Sequence, residues 1–228
     1  MTNEQRIRNL SVPESRVDVV LDTDAYNEID DQFAIAYLLK SKEKLNTKAI
    51  YAAPFLNSNS VSPKNGMEKS YNEILKLISL LGEKVDVFKG SERFLDNENT
   101  PVISSAAQNL AERVKKYSPQ KPLYVVAIGA ITNIASAILL NPEFAENTIK
   151  TAECYAKGSA WTRVIWDVTA VAWLLNDSEK FMESRIIPTP IPTYDNFYAT
   201  DYNGYPMRYV YNIKRDNLMT DLFRKLTE

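Results

Sequence analysis

The sequence predicts an α/β protein with a mainly parallel open sheet flanked by helices, because of its segment order and its composition. Strand-like and helical apolar patterns alternate in four successive units between residues 17 and 140, and such alternation favours a parallel sheet with helices on both faces. Hydrophobic residues make up 45% and charged residues 25% of the chain, which are ordinary globular values. We expect residues 1–228 to form one domain, since 228 residues can bury a sizeable core.

The first unit surrounds a cluster of carboxylates. Residues 17–21 are mostly β-branched and predict a buried strand, and residues 33–38 carry apolar side chains at helical spacing. The intervening loop contains five carboxylates within ten residues: Asp22, Asp24, Glu28, Asp30 and Asp31. In an open α/β sheet, loops at the carboxyl ends of strands are where ligands bind. The cluster therefore marks the predicted functional site.

These carboxylates have no basic neighbour in sequence, since no Lys or Arg occurs between Arg16 and Lys40. Crowded like charges are relieved by protonation or by a bound cation, and we interpret the cluster as a cation site. The simpler alternative is that Asp30 and Asp31 act as acidic caps at a helix N-terminus. Capping requires one or two carboxylates rather than five.

The remaining units are predicted from the same periodicities. The predicted strands span residues 48–55, 85–88 and 123–128, the predicted helices span 67–81, 103–117 and 133–140, and a final helix spans 217–226. Residues 123–140 carry no charge and have the length of a membrane span, but Gly129, Thr132 and Asn133 interrupt them. A buried strand that runs into a buried helix is the preferred interpretation.

Composition excludes several function classes. The chain has no histidine, which removes Ser-His-Asp and Cys-His triads, His-ligated zinc and a His general acid. Its single cysteine, Cys154, leaves no disulfide within the chain and fits a reducing compartment. The net charge of −2 and the lack of a basic stripe argue against nucleic acid as a partner. The polar first residues lack the apolar core of a signal peptide, so we expect a cytoplasmic protein without a membrane partner.

The acidic loop carries a recognisable motif. Asp22-Thr23-Asp24 follows the predicted strand, and Asp30-Asp31 precedes an apolar helix. This pattern resembles the amino-terminal signature of the calcium-dependent nucleoside hydrolases, the inosine–uridine-preferring N-ribohydrolases, whose fold is of the predicted class. In the commonest form of the signature the loop between the acidic pairs is shorter and carries Pro-Gly. Here it reads Ala25-Tyr26-Asn27-Glu28-Ile29, which resembles a longer-loop branch of the family.

The resemblance implies a Ca²⁺ site with three carboxylate ligands and one backbone carbonyl ligand: Asp24, Asp31, Asp167 and Thr132. Asp167 lies in segment 161–171, which resembles the part of the family where an aspartate opening a helix completes the metal site. Thr132 lies in Ile128-Gly129-Ala130-Ile131-Thr132-Asn133, which is a strong match to the family. The alternative for Thr132 is that it only caps the following helix.

The resemblance also implies that the chain cleaves the N-glycosidic bond of ribonucleosides to give ribose and free base. Asp30 would be the general base that takes a proton from a Ca-bound water, and Asp22 would orient the metal-bound groups. Asn57 would contact the ribose, although the segment around it is equally typical of an Asn/Ser-rich turn. A small-molecule nucleoside is the expected partner, and a homo-oligomer is left open.

The second half departs from the family pattern at about residues 147–148. The family continues there into a further strand, a glycine-rich turn and a Glu-Phe-Asn segment that contacts the ribose, and none of these is recognisable in the sequence. The chain passes instead through residues 148–157 to the segment that contains Asp167. We therefore predict a truncated nucleoside hydrolase-like fold with an internal deletion, in which metal binding survives more readily than catalysis.

Trp166 occupies a place where some family members carry a histidine proposed to protonate the leaving base. Without a histidine, the reaction would need another acid or an easily departing base. Ordinary core packing is the preferred interpretation of Trp166. The Pro- and Tyr-rich tail over residues 186–211 is interpreted as a lid that stacks on a nucleobase or, preferably, as a packed extended segment.

Two alternatives to the proposed enzyme stay open. The first is a catalytically impaired remnant that binds metal or nucleoside without releasing base. The second is a haloacid dehalogenase-like phosphohydrolase, because a strand followed by Asp22-Thr23-Asp24 also resembles its nucleophile loop. The Thr or Val expected there at position 26 is replaced by Tyr26.

Overall fold

A computed structural model of the chain describes residues 2–141, 144, 148–152, 166–190 and 205–228. The strands are β1 Val17–Thr23, β2 Leu45–Ala52, β3 Val87–Lys89, β4 Leu123–Ala127, β5 Thr148–Ala152, β6 Met182–Pro188 and β7 Pro206–Ile213. The helices are α1 Asn3–Asn9, α2 Asp30–Lys40, α3 Pro63–Leu80, α4 Ser105–Val114, α5 Thr132–Leu140, α6 Val168–Leu174 and α7 Arg215–Thr227.

The main sheet has five parallel strands in the order β3-β2-β1-β4-β5. The chain thus forms the mainly parallel α/β sheet that the sequence predicts. β1 lies at the centre, paired with β2 on one side and with β4 on the other. The strand order reverses between β1 and β4, and open α/β sheets bind ligands at the carboxyl ends of the strands beside such a reversal. The loops after β1 and β4 are therefore the expected site.

Helices cover both faces of the sheet because side chains alternate along the central strand. Val19 and Leu21 pack on one face with residues of α2, α3, α6 and α7. Val20 packs on the other face with residues of α4 and α5. All three side chains are fully buried. Burial on both faces explains why β1 has a continuous apolar sequence instead of an alternating one.

Element boundaries differ from the predicted ones by a few residues. β2 spans Leu45–Ala52 rather than 48–55, and α4 spans Ser105–Val114 rather than 103–117. The uncharged stretch 123–140 forms β4 and α5, as predicted. Within the described residues, none of the helices combines the length and the apolar content that crossing a bilayer requires.

The structure corrects the expectation that no further strand follows residue 147. β5 pairs in parallel with β4 from Leu123 opposite Thr148 to Ala127 opposite Ala152. This pairing satisfies backbone groups of β4 that would otherwise form an open sheet edge. Residues 153–165, which include Cys154 and the start of the segment leading to Asp167, lie outside the described residues.

The tail forms a second, two-stranded antiparallel sheet from β6 and β7. The paired strands agree with the interpretation of the tail as a packed extended segment. Tyr194, Tyr198 and Tyr202 lie outside the described residues. Tyr209 and Tyr211 belong to β7, where both side chains are exposed.

Helix α7 packs against α2 and completes the core on that face. Leu218 and Leu222 are fully buried in the cluster that also contains Val19 and Leu21. The Tyr37 hydroxyl of α2 donates a hydrogen bond of 2.6 Å to Asp221 Oδ2 of α7. The final predicted helix therefore exists and has a structural role.

The contacts of Asp221 predict a loss of stability in acid. Burial raises the pKa of Asp221, but the hydrogen bonds from Tyr37 and Arg224 and the charges of Lys225 and Lys180 together lower it by more, so the net pKa lies below its ordinary value. The unfolded state therefore takes up the proton at higher pH than the folded state. The stabilisation is present above pH of about 4 and is lost as the pH falls through the folded pKa.

Asp221→Asn tests this prediction by thermal unfolding in EDTA. The variant should melt below the unsubstituted chain at about pH 6, and the gap should close towards about pH 3. A gap that is constant over this range would mean that the charge of Asp221 does not stabilise the fold.

Candidate active site and metal centre

The loops after β1 and β4 meet at the carboxyl edge of the sheet. The N–H of Ile128 donates to the carbonyl oxygen of Asp22 at 2.9 Å. A Cβ placed on Gly129 would lie 2.8 Å from Asp24 Oδ1, so the second loop packs directly against the carboxylate of the first. A side chain at position 129 would push that carboxylate away. The same loop leads into Thr132, which is buried as the first residue of α5.

Three carboxylates converge beside these loops. Asp30 and Asp31 are the first two residues of α2, and Asp167 directly precedes α6. One carboxylate oxygen from each lies within 4.8 Å of the other two. The exposed fractions of these residues are only 6%, 2% and 9%, respectively. Packing of α2 against α6 thus brings together residues that are far apart in sequence.

Two further carboxylates, from β1 and its loop, add to the negative charge. Burial raises the pKa of Asp22 to about 7, and the charge of Asp24 contributes to the rise. Burial also raises the pKa of Asp24 to about 6, with contributions from Asp30 and Glu28. Burial, followed by the charges of Asp24 and Asp167, raises the pKa of Asp31 well above its ordinary value. The ionised forms are therefore costly without added positive charge.

The donor atoms of the cluster suit a hard cation. They are carboxylate and carbonyl oxygens, which Ca²⁺ and Mg²⁺ prefer. Asp22 Oδ2 is buried and has no hydrogen-bond partner among the described residues. A buried carboxylate oxygen without a hydrogen-bond partner, next to the charge of Asp24, is stabilised by positive charge nearby. The residues present therefore fit a divalent metal ion.

Helix capping does not account for the cluster. The cap position of α2 is Ile29 and that of α5 is Ile131, and neither side chain caps its helix. Asp30, Asp31 and Thr132 lie inside the first turns instead. The capping alternatives are thus wrong for these residues, although the helix dipole still favours carboxylates at the start of α2.

Asn133 connects four segments around the site. It is fully buried, and its Nδ2 donates to Asp22 Oδ1 at 2.8 Å and to the carbonyl of Ala52 at 3.1 Å. Its Oδ1 accepts from the N–H and the hydroxyl of Ser91 at 2.7 and 2.9 Å. A Cβ on Gly90 would lie 1.9 Å from the Ala52 carbonyl oxygen, so only glycine fits there. These bonds use the full capacity of the amide and hold Asp22 in place.

Asn57, the predicted ribose contact, reaches the cluster through another asparagine. Its Nδ2 donates to Asn27 Oδ1, and Asn27 Nδ2 donates to Asp24 Oδ2 at 2.9 Å. Asn57 Oδ1 also accepts from the N–H of Asn59 at 2.8 Å, which is the local bond of an Asx turn. The segment is therefore a turn. The exposed Asn57 is connected to the predicted metal ligand Asp24 by two hydrogen bonds, with Asn27 between them.

A family model described as inosine-uridine preferring nucleoside hydrolase matches residues 19–172. The chain belongs to the nucleoside hydrolase family. The match covers all of the candidate site residues, from Asp22 to Asp167. Membership of the nucleoside hydrolase family places the chain among hydrolases and decides against the haloacid dehalogenase alternative.

Solved structures show a similar fold. The crystal structure of an inosine-uridine preferring nucleoside hydrolase from Bacillus anthracis aligns with a TM-score of 0.65 at 12% identity, over 92% of this chain and 98% of that chain. The type III effector protein XopQ, complexed with adenosine diphosphate ribose, gives a TM-score of 0.45 at 14% identity, over 99% of this chain and 58% of that chain. A search of curated proteins finds no match. At 12% identity, the likeness to the Bacillus anthracis structure supports the fold only.

Trp166 is not a core residue of this family member. It is 43% exposed, which contradicts the preferred interpretation from the sequence. Its carbonyl accepts from the N–H and the hydroxyl of Thr169 at 2.9 and 2.7 Å, and these bonds close the turn that carries Asp167. A large, partly exposed aromatic residue therefore directly precedes Asp167 in the sequence.

Sequence reasoning missed three residues that hold the nucleoside hydrolase motif in place: Thr23, Asn27 and Asn133. The Thr23 hydroxyl donates to Asp31 Oδ1, which orients that carboxylate. The alternation of side chains along β1 could have indicated the role of Thr23. It directs Thr23 and Asp22 to opposite faces of the sheet, so the two residues have different partners. No comparable local signal identifies the partners of the two asparagines.

Proposed function

We propose that the chain hydrolyses the N-glycosidic bond of ribonucleosides, purine or pyrimidine, with Ca²⁺ as cofactor, to give ribose and free base. The observation that carries the proposal is the buried convergence of Asp30, Asp31 and Asp167 in a member of the nucleoside hydrolase family. A cluster of this kind is costly to bury for structure alone. It supports a site built around a cation and a reacting water.

The proposed ligands of Ca²⁺ are the carboxylates of Asp24, Asp31 and Asp167 and the backbone carbonyl of Thr132. Ca²⁺ accepts six to eight oxygens with flexible geometry, which fits a mixture of carboxylates and a carbonyl. When bound, the cation would offset the carboxylate charge and make water more acidic. Asp22 would act through its buried network, by fixing the strand end from which Asp24 projects.

Asp30 is the proposed general base. It would take a proton from the attacking water while the water oxygen forms a bond to the anomeric carbon of ribose. The bond from that carbon to the nitrogen of the nucleobase breaks, and its electron pair leaves with the nucleobase. The transition state carries oxocarbenium character, which a pocket lined with carboxylates stabilises.

Departure of the base must proceed without a histidine, since the chain contains none. We therefore expect nucleosides whose nucleobase is a good leaving group to be hydrolysed fastest. A binding remnant without turnover is the second candidate, because the ribose-contacting Glu-Phe-Asn segment of the family is not recognisable in the sequence. The assay below separates the two.

Thermal unfolding with EDTA and with excess Ca²⁺ tests the metal site, and a reducing-sugar assay on inosine, uridine and a nitrophenyl riboside tests catalysis in the same preparation. Ca²⁺ at about a hundredfold excess over its dissociation constant should raise the melting temperature by about 5–10 °C. Asp31→Asn is the matched control and should lose most of this rise.

Each outcome has a distinct meaning. A rise in melting temperature with ribose release supports the hydrolase, and release from the nitrophenyl riboside alone means that leaving-group protonation limits the reaction. A rise without release from any of the three substrates supports the binding remnant. The absence of any effect of Ca²⁺ would overturn the proposed metal site.

A further inference from the structure

The loop between Asp24 and Asp30 is held against the loop after β2 by a set of specific contacts. Both the side chain and the backbone of Asn27 take part. Asn27 Oδ1 accepts from Asn57 Nδ2, and the Asn27 carbonyl accepts from Asn59 Nδ2 at 3.1 Å. The Lys69 ammonium lies 5.2 Å from the Tyr26 ring centre and donates to the Asn59 carbonyl at 2.6 Å. The two loops therefore contact each other through Asn27, and Lys69 of α3 lies between Tyr26 and Asn59.

The other end of Asn27 holds a predicted metal ligand. Its Nδ2 donates to Asp24 Oδ2 at 2.9 Å, and its N–H donates to the Asp24 carbonyl at 2.7 Å. Hydrogen bonds that restrict a ligating carboxylate orient it for the metal. Asn27 thus fixes the direction of one oxygen of Asp24.

We infer that Asn27 is a positioning residue that couples the metal ligand Asp24 to the exposed Asn57. This inference rests on the proposed function and deepens it. Asn27 is the side chain that bonds both partners, with its Nδ2 on Asp24 and its Oδ1 on Asn57. Asn27 lies in the acidic loop, which is longer here than in the Pro-Gly form of the signature. This loop therefore links the proposed metal ligand Asp24 to the turn that contains Asn57.

If Asn27 couples Asn57 to Asp24, a substitution of Asn57 should change Ca²⁺ affinity, which is not expected if the turn has only a structural role. Within the described residues, Asn57 has no hydrogen bond to a carboxylate of the cluster, and the Asn27 side chain is the most direct link from Asn57 to Asp24. Asn57→Ala should weaken Ca²⁺ binding about threefold in the unsubstituted chain, and Asn27→Ala should weaken it about fivefold or more. In the Asn27→Ala background, Asn57→Ala should have no further effect, because its link is already broken.

Calorimetric titration of all four proteins with Ca²⁺, without nucleoside, tests the inference. Ser58→Ala is the matched control, because Ser58 is an exposed neighbour in the same turn, and its Ca²⁺ affinity should be unchanged. Melting temperatures in EDTA check that each variant is folded. The Michaelis constant for a nucleoside should rise in both asparagine variants if the chain turns over.

The results separate this inference from the proposed function. A non-additive cycle, with the effect of Asn57→Ala absent once Asn27 is changed, supports the coupling. Additive effects, or no effect of Asn57→Ala on Ca²⁺ affinity, would overturn the coupling and leave the hydrolase proposal intact. Failure of the unsubstituted chain to bind Ca²⁺ would overturn the proposed function and the coupling with it.

Discussion

Replacing Asp30 with Asn should lower ribose release by at least about a hundredfold, the usual contribution of a positioned general base. The substitution keeps the shape of the side chain and removes its ability to accept a proton. Asp30 is 6% exposed, and one of its carboxylate oxygens is within 4.8 Å of those of Asp31 and Asp167. Its position beside the proposed ligands is where a base must lie to reach the attacking water.

The same geometry allows Asp30 to bind the cation directly, and Ca²⁺ affinity distinguishes the two roles. If Asp30 is the base, Asp30→Asn should keep its Ca²⁺ affinity, whereas the matched variant Asp31→Asn should bind Ca²⁺ much more weakly. Recovery of turnover by Asp30→Asn at high Ca²⁺ would identify Asp30 as a ligand. A variant that retains the full rate would rule out both roles.

Asn133→Ala should be the most destabilising substitution near the site. It would leave Asp22 Oδ1, the Ala52 carbonyl and the two Ser91 donors without the partner they have now. Each buried polar group left unsatisfied costs about 1–3 kcal/mol, and Asn133 itself is fully buried. We expect a loss of about 3 kcal/mol or more in the free energy of unfolding.

Urea unfolding in EDTA measures this loss without a contribution from the metal. Asn46→Ala is a matched control, because Asn46 Nδ2 also donates to an aspartate, Asp18 Oδ1, at 2.6 Å, but in a part-buried position. That variant should lose only about 1 kcal/mol. Equal losses of unfolding free energy in the two variants would mean that the buried network around Asn133 stabilises the fold no more than a single part-buried hydrogen bond.

The sequence predicts those elements whose signals are local. The apolar run of β1 and the helical spacing of α2 are properties of adjacent residues, and both elements form where they are predicted. β5 was missed because five residues after a helix carry little pattern of their own, and the strand is stabilised by pairing with β4. That pairing depends on the neighbouring strand, which a local pattern does not contain.

In the candidate site, too, residues with a local sequence signal were predicted and residues that depend on tertiary contacts were missed. Asp30 and Asp31 are adjacent in the motif, and their resemblance to a known signature was enough to single them out. Asn133 bonds to a residue 111 positions away, and Asn27 bonds to one 30 positions away. Asn133 lies in a segment that resembles the family and Asn27 lies in a loop, but nothing in the local sequence of either residue identifies its hydrogen-bond partners. Their roles follow from tertiary packing.

The packing of α7 on α2 has a consequence for the order in which the chain folds. The Tyr37 to Asp221 bond joins residues 184 positions apart, and Leu218 and Leu222 complete the core around the first strand. During synthesis, the apolar face of α2 therefore stays partly uncovered until residues 215–227 have left the ribosome. Contacts of such long range slow folding and leave apolar surface open to aggregation in the meantime. The first strand–helix unit to be made is among the last to be fully enclosed.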